Sequence, residues 1–199
     1  MTIELRFYAS EDLPPDLKWQ ILSFLRVAWS GGFVGENRLR DWISPPTDHP
    51  SHVVLVENGL LISHTEVVWK YLDHAGETYK AYGLSGVFTY PGLRGQGYGR
   101  QVVDAGTKII RASDADIGIF HCAPGLGPCY AKSGWIPMPG TTTWVGPKSA
   151  PVVGDELLMM LFLSEKGRRG RPSNMNRSIL ESIPGSRSGR RVSDPPYLG

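Results

Sequence analysis

The sequence predicts a mixed α/β (α+β) fold, in which a mostly antiparallel central sheet is flanked by helices. Three observations carry this. Alternating apolar runs broken by turn dipeptides fill much of residues 50–90, as hairpin strands do. From Gly86 to Arg100 an apolar strand runs through a basic, glycine-dense turn into a helix reaching about Ala112. A short buried strand, Ile117 to Cys122, follows that helix.

The elements follow in order. Ile3 to Tyr8 alternates as a first strand. Leu13-Pro14-Pro15-Asp16 opens a helix to about Val27, with Leu17, Ile21 and Leu25 on one face. Trp29 to Gly35 is a glycine-rich loop, and Asn37 to Ile43 reads as a short helix stopped by Ser44-Pro45-Pro46. His52 to Glu57 and Leu60 to Tyr71 form a hairpin across Asn58-Gly59, a favoured turn pair. A turn at 73–76 leads into a strand from about Thr78 to Tyr90. The helix from Gly97 to Ala112 buries Val102, Val103, Ile109 and Ile110. Pro128 and Gly134 suit the start and stop of a short helix. Late strands run from about Thr142 to Val145 and from Glu156 to Leu163. No internal repeat is visible.

The segment Arg94-Gly95-Gln96-Gly97-Tyr98-Gly99 sets three glycines at alternate positions before a helix. Glycine accepts positive φ and lets the backbone approach a ligand. The helix start offers free amides and a positive dipole end, which suit a phosphate. Arg94 adds a fork of donors. The segment is therefore a candidate pyrophosphate cradle. A phosphate-binding Walker loop requires Gly-Lys-Ser/Thr, and here Tyr98-Gly99-Arg100 stands instead. A dinucleotide fingerprint reads G-x-G-x-x-G at a first strand, whereas this loop reads G-x-G-x-G in mid-chain. A glycine-rich turn without a ligand is the plain alternative.

With Tyr130-Ala131-Lys132-Ser133-Gly134-Trp135 added, the chain resembles the GNAT superfamily of acetyl-CoA-dependent N-acetyltransferases. Arg94 to Gly99 is similar to its Q/R-x-x-G-x-G/A loop, and Tyr130 to Trp135 to its tyrosine-x-x-x-glycine-aromatic signature. Gly134 to Gly140, Leu157 to Leu161 and Gly86 to Thr89 look like the aminoglycoside 2'-N-acetyltransferases within it. The resemblance spans about residues 3–163 and is strongest from Gly86 to Gly140. It implies acetyl-CoA as cofactor and acetyl transfer to the primary amine of a small cationic acceptor by direct attack. It assigns cofactor contacts to Val87, Phe88, Thr89, Arg94, Gly95, Gln96, Gly97, Tyr98 and Gly99. It makes Tyr130 the acid that protonates the leaving sulfur, in keeping with a phenol whose ordinary pKa is near 10. Core packing beside Trp135 is the alternative role for Tyr130.

The base has several candidates. Where the aminoglycoside group carries a glutamate before the cofactor loop, this chain has Ser85, which is no carboxylate base but can hold a water. Glu66 and His64 on the Leu60 strand are others. His121, at a strand end expected to face the thioester, is the preferred histidine. Acceptor binding is assigned to Glu36, Asp41, Asp155 and Glu156, since amine-rich ligands want carboxylates. Trp29, Phe33 and Trp42 either line the acceptor site or pack the helices.

A chain of 199 residues fits one catalytic domain. We take residues 1–165 as that domain and 166–199 as a basic, flexible tail. The tail holds eight Lys/Arg against Glu181 and Asp194, leaving 13 Lys/Arg against 17 Asp/Glu before it. An acidic body suits a cationic acceptor. Cys122 and Cys129 make no disulfide framework, no metal-ligand spacing is present, and no apolar run reaches the length of a membrane span. The N-terminal residues show no apolar signal core, so a cytoplasmic protein is expected. A homodimer is entertained, and nucleic acid is not expected as a partner. Two other classes are kept: a non-catalytic acyl-CoA-binding module, and a nucleic-acid-associated protein acting through its basic tail.

Overall fold

The computed structural model describes residues 2–141, 144–145, 152–153 and 156–170. In chain order its strands are β1 (Ile3–Ala9), β2 (Ser51–Glu57), β3 (Leu60–His74), β4 (Glu77–Thr89), β5 (Ile117–Cys122), β6 (Ile136–Met138), β7 (Trp144–Val145), β8 (Val152–Val153) and β9 (Leu157–Phe162). The helices are α1 (Pro15–Ala28), α2 (Tyr98–Ala112), α3 (Gly127–Ala131) and α4 (Glu165–Arg169). Seven strands form one sheet in the order β1-β2-β3-β4-β5-β9-β6, while β7 and β8 pair separately. Every pairing is antiparallel except that of β4 with β5, the two strands joined by the α2 crossover. The expected mixed, mostly antiparallel sheet is therefore present.

Turn chemistry sets the hairpins. Asn58 and Gly59 take φ of 51° and 78°, and Ala75 and Gly76 take 52° and 82°. Two successive positive φ values match the right-handed twist of the flanking strands. Alternation along β2 then sorts its residues between two layers. Val54 and Val56 pack with Leu17, Ile21, Leu22 and Leu25 of α1, and with Leu61 and Phe88. Val53 and Leu55 pack with Val102 and Ala105 of α2 on the other face. Each such side chain contributes about 1.5–3 kcal/mol by leaving water. Gly106 lets α2 lie close on the sheet, since a Cβ there would stand 2.8 Å from Leu84 Cδ2.

Three details depart from the sequence reading. The segment read as a helix from Asn37 to Ile43 is a 3₁₀ turn, Gly35–Leu39, and Arg40 is already extended at φ −56°, ψ 141°. Gly35 at φ 56° and the nearby prolines leave too few residues for an α-helical nucleus. The short strand β6 and helix α4 were not anticipated. Helix α4 carries the ordered body past residue 165. Ser164 caps it by accepting from Gly167 N at 3.0 Å, and Lys166 reaches Asp116 at 2.5 Å. Burial works against the Asp116 charge. The bonds from Lys166, Ser164 and the Lys80 amide nevertheless hold its pKa below the usual carboxylate value. Residues 171–199, the rest of the expected tail, lie outside the described residues.

Candidate active site

The site begins with an irregularity in β4. Along β3, Glu66 faces Ser85 and His64 faces Phe88, so a step of two residues in β3 meets a step of three in β4. The extra residue is a β-bulge at Gly86, where φ is 57°. Bulges bend the strand that carries them. On its other side β4 pairs with β5 at Ala81–Ile117 and Tyr82–Gly118 only. Beyond those pairs the parallel strands part, and the outer edge of β4 from Leu84 to Thr89 is free of β5. Backbone groups on that edge suit the amide-bearing arm of a pantetheine.

The glycine loop closes the mouth of this opening. Gly95 and Gly97 both sit at φ 78°, a region that costs other residues about 1–2 kcal/mol. A Cβ on either would meet nothing within 4 Å, so the requirement is conformational rather than steric. Gln101 N closes the first turn of α2 on the Gly97 carbonyl at 3.2 Å. The amides of Tyr98, Gly99 and Arg100 ahead of it are therefore the leading donors of the helix. No acidic residue lies in that first turn to compensate the dipole. Gly95, Gln96 and Gly97 are exposed, and Gly99 is buried. Arg94 folds back, its Nε donating to the Thr89 carbonyl at 3.2 Å. The loop, the helix start and the freed edge of β4 fit a nucleotide pyrophosphate with a long amide arm, as coenzyme A has.

Tyr130 reaches the same opening from α3. It is buried, edge-on to Phe120 at 4.7 Å, in one cluster with Val103, Cys122 and Trp135, against which Val87 packs. Trp135 anchors the turn after α3 by donating from Nε1 to Thr107 Oγ1 of α2 at 2.8 Å. Gly134 at φ 86° permits that turn. The structure thus brings Tyr130 and Val87 together with Val103 of α2 on the α2 side of the sheet.

The opposite side of the same strands is polar. Ser44, His52, His64, Glu66 and Ser85 are all buried there. Ser44 Oγ donates to Glu66 Oε2 at 2.7 Å. His64 Nδ1 lies 2.8 Å from the Gly86 carbonyl and must carry the proton, which makes its Nε2 the acceptor for His52 Nδ1 at 3.2 Å. His52 Nδ1 is also 3.9 Å from Glu66 Oε1. Burial drives the His52 pKa down to about 4, so near neutral pH His52 faces Glu66 as a neutral ring, not as half of an ion pair. His121 shares this face, by alternation with Ile117 and Ile119, and burial also lowers its pKa to about 4. The sequence pointed to Glu66, His64, Ser85 and His121 separately. Ser44 and His52 were missed, and nothing in their spacing signals that one loop and three strands bring the cluster together.

The acceptor carboxylates are scattered. Glu36 is exposed, and Asp41 pairs with Lys18 at 3.2 Å. Glu156 stands at the head of β9, which runs antiparallel to β5 and so begins at the open end of the β4–β5 cleft. Asp155 lies outside the described residues. Phe33 and Trp42 flank the Arg40 guanidinium at 4.2 and 4.3 Å, and Trp29 packs against the α1 core. A separate cleft of about 350 Å³ between Arg111, Gly134, Phe162 and Arg168 lies at the other end of α2, away from the loop. Among the described residues no His/Cys/Asp/Glu cluster is suited to a metal, and no helix is long and apolar enough to cross a membrane.

The buried imidazoles make stability depend on pH. The His52 pKa is about 4 folded against an ordinary 6.5, so its neutrality carries no penalty above 6.5. As pH falls below that, the unfolded chain takes up a proton that the folded one refuses, and stability drops until about pH 4. Between pH 7 and 5 this amounts to about 2 kcal/mol for His52, with His121 acting in the same direction. In urea unfolding at the two pH values, His52→Gln should lose about 2 kcal/mol less than wild type on acidification. An unchanged difference would show that His52 is charged in the folded protein.

Residues 14–138 match the model of the acetyltransferase (GNAT) domain. Solved structures share the fold at low identity. Escherichia coli ElaA aligns with TM-score 0.55 at 16% identity, over 80% of this chain and 99% of its own. Escherichia coli YhbS, a GNAT family N-acetyltransferase solved in complex with CoA, aligns with TM-score 0.56 at 18% identity, over 91% of this chain and 89% of its own. A putative N-acetyltransferase of Lactobacillus plantarum aligns with TM-score 0.52 at 17% identity, over 82% of this chain and all of its own. With a domain match over most of its length and a glycine loop, strand split and tyrosine helix arranged around one cleft, this chain belongs to the GNAT acetyltransferase family.

Proposed function

We propose that this protein moves an acetyl group from acetyl-CoA to a primary amine of a small cationic acceptor by direct attack, without an acyl-enzyme. The observation that carries the reading is the parting of β4 and β5 beyond Tyr82 and Gly118, with Val87 and Tyr130 packed in one cluster against α2, whose amide-rich start follows β4 directly in the chain. Gln96 to Gly99 would hold the pyrophosphate, Arg94 would brace the loop, and the edge from Val87 through Phe88 to Thr89 would hold the pantetheine arm. Acetyl-CoA supplies the activated thioester. Tyr130 supplies the proton for the leaving sulfur, and its buried ring, fixed against Phe120, holds the hydroxyl in one place. His121 is a weaker part of the scheme, because a ring with a pKa near 4 is a poor proton acceptor at neutral pH. Ser85 remains in it as a hydroxyl able to hold a water.

For the acceptor, the acidic sequence before residue 166 and Glu156 at the open end of the cleft support a cationic molecule. An aminoglycoside is one specific candidate. The cytoplasm is the proposed compartment.

Gly97→Val forces a β-branched residue into positive φ and should turn the leading amides of α2 away from the pyrophosphate. Acetyl-CoA affinity measured by calorimetry should fall by about tenfold or more, since 1.4 kcal/mol of strain is one decade. Unchanged affinity would remove the loop from the cofactor site.

Tyr130→Phe keeps the ring and its packing. It should retain acetyl-CoA binding while lowering kcat by about 10²-fold, the scale of one acid–base contribution. Turnover within a factor of a few of wild type would leave Tyr130 a packing residue.

Coenzyme A release should be fastest with cationic amines in a panel of aminoglycosides, polyamines, amino acids and peptides. The KM for such amines should rise with salt, as screening weakens partly exposed charge pairs over about 8 Å. A neutral or anionic best substrate would overturn the acceptor reading and leave the transfer reaction standing. Tight acetyl-CoA binding with no turnover on any amine would favour an acyl-CoA-binding module.

A further inference from the structure

We infer that Glu66 is the proton acceptor for the attacking amine, working through a water held by Ser85, with His52 and His64 as positioning residues. The inference rests on the acetyl-transfer reading above.

Glu66 and Ser85 face each other directly across β3 and β4. Side chains at such positions lie on one face about 5 Å apart at their Cβ atoms. Ser85 is the residue just before the bulge, three residues beyond the last β4–β5 pair at Tyr82. Its Oγ is buried and has no hydrogen-bond partner among the described residues. A hydroxyl in that state, beside a buried carboxylate and at the opened edge of the strand, is suited to bridge an incoming amine to Glu66 through one water.

The surroundings hold the carboxylate in place. Ser44 Oγ donates to Oε2 at 2.7 Å, and His52 Nδ1 stands 3.9 Å from Oε1. His52 is braced by His64, which is locked to the carbonyl of Gly86. The same chain of contacts therefore ties the carboxylate to the bulge. Other charged or titratable groups on this side include His121 on β5, Lys70 further along β3 with Asp48 beside it, and Lys18, Arg26, Arg40 and Asp41 on α1 and the loop that follows it. His121 stays neutral near pH 7 and takes up protons poorly there. A face built only for stability would have used apolar side chains, because burying a carboxylate and two imidazoles is costly.

The reaction balances as follows. The nitrogen lone pair forms the C–N bond, and the C–S pair leaves with sulfur. Glu66 takes the proton that nitrogen sheds, relayed by the water on Ser85, while Tyr130 gives one to sulfur from the opposite face of the sheet. Solvent then removes the proton from Glu66 and returns one to Tyr130.

The test compares wild type with Glu66→Gln, Glu66→Asp and the double variant Glu66→Gln/Ser85→Asp. Acetyl-CoA binding is measured by calorimetry. Coenzyme A release is measured against pH with several primary amines, and without amine as slow thioester hydrolysis. Gln still accepts the Ser44 hydrogen bond but takes up no proton. Glu66→Gln should bind acetyl-CoA as wild type does, lose about 10²-fold in kcat, and lose an acid limb whose midpoint is the same for every amine. Glu66→Asp should recover part of the rate. The double variant, which moves the carboxyl one strand over, should restore the limb, and these two carry the test should Glu66→Gln unfold. A Glu66→Gln rate within a factor of a few of wild type, or a lower rate with the same limb intact, would overturn the inference alone. Failure of wild type to bind acetyl-CoA would overturn the acetyl-transfer reading, and this inference with it.

Discussion

The extra residue in β4 at Gly86 is the constraint on which the rest of the site depends. It lies just past the last β4–β5 pair at Tyr82, where the two strands part and the cleft opens. The bulge frees backbone groups of β4, and β3 side chains answer them one after another. Thr65 Oγ1 shares its proton between the Glu66 carbonyl at 3.2 Å and the Ser85 carbonyl at 3.4 Å, while His64 Nδ1 donates to Gly86 at 2.8 Å and Ser63 Oγ to Phe88 at 2.8 Å. Each such bond contributes about 1 kcal/mol net, and each spares a buried carbonyl a larger penalty. The distortion thus survives because a neighbouring strand spends three polar side chains in succession on it. A strand of valines at 63–65 would leave those carbonyls unmatched and favour the regular, closed ladder.

The bulge also divides the chemistry between two faces. Residues before it alternate in the usual way, with Leu84 toward α2 and Ser85 away. The inserted residue then places Val87 with the α2 cluster and Phe88 with the α1 core. Tyr130 consequently meets the opening from one side of the sheet and Glu66 with Ser85 from the other. A transfer that must add a proton to sulfur and remove one from nitrogen gains from that separation. An acid and a base held on one face at hydrogen-bond distance would neutralise each other.

Much of this was legible in the sequence, and the limits are physical. The hairpin turn at Asn58-Gly59, the apolar face of α1 and the glycine loop before α2 are local patterns. Local patterns survive the absence of a structure because backbone conformation at those residues is set by near neighbours. The GNAT resemblance drew on the same kind of signal, two short motifs at fixed separation. The bulge was not legible, since it is a mismatch of register between two strands, and neither strand shows it alone. Nor was the buried polar cluster. Ser44 looked like a helix stop, and His52 was simply the start of a strand. Their common partner, Glu66, lies 22 residues from one and 14 from the other. The helix expected at Asn37 to Ile43 failed for a related reason. Only nine residues lie between the positive-φ Gly35 and the proline pair at 45 and 46, too few to offset the cost of nucleation.

The same reasoning bears on why this face of the sheet is built against its own stability. Three titratable side chains with almost no solvent contact occupy positions that Val54 and Phe88 show to be suitable for apolar packing. Replacing such a set by hydrocarbon is often neutral or stabilising, whereas removing a single member leaves its partners buried and unmatched. Single changes in such a cluster are thus costlier than its wholesale replacement. Two elements from elsewhere in the sequence converge on it, the loop through Ser44 with a hydrogen bond of 2.7 Å and the strand start at His52 at 3.9 Å. That convergence sits beside the one point where the sheet opens. A buried polar network beside the opening between β4 and β5 is best understood by what it does to a proton there.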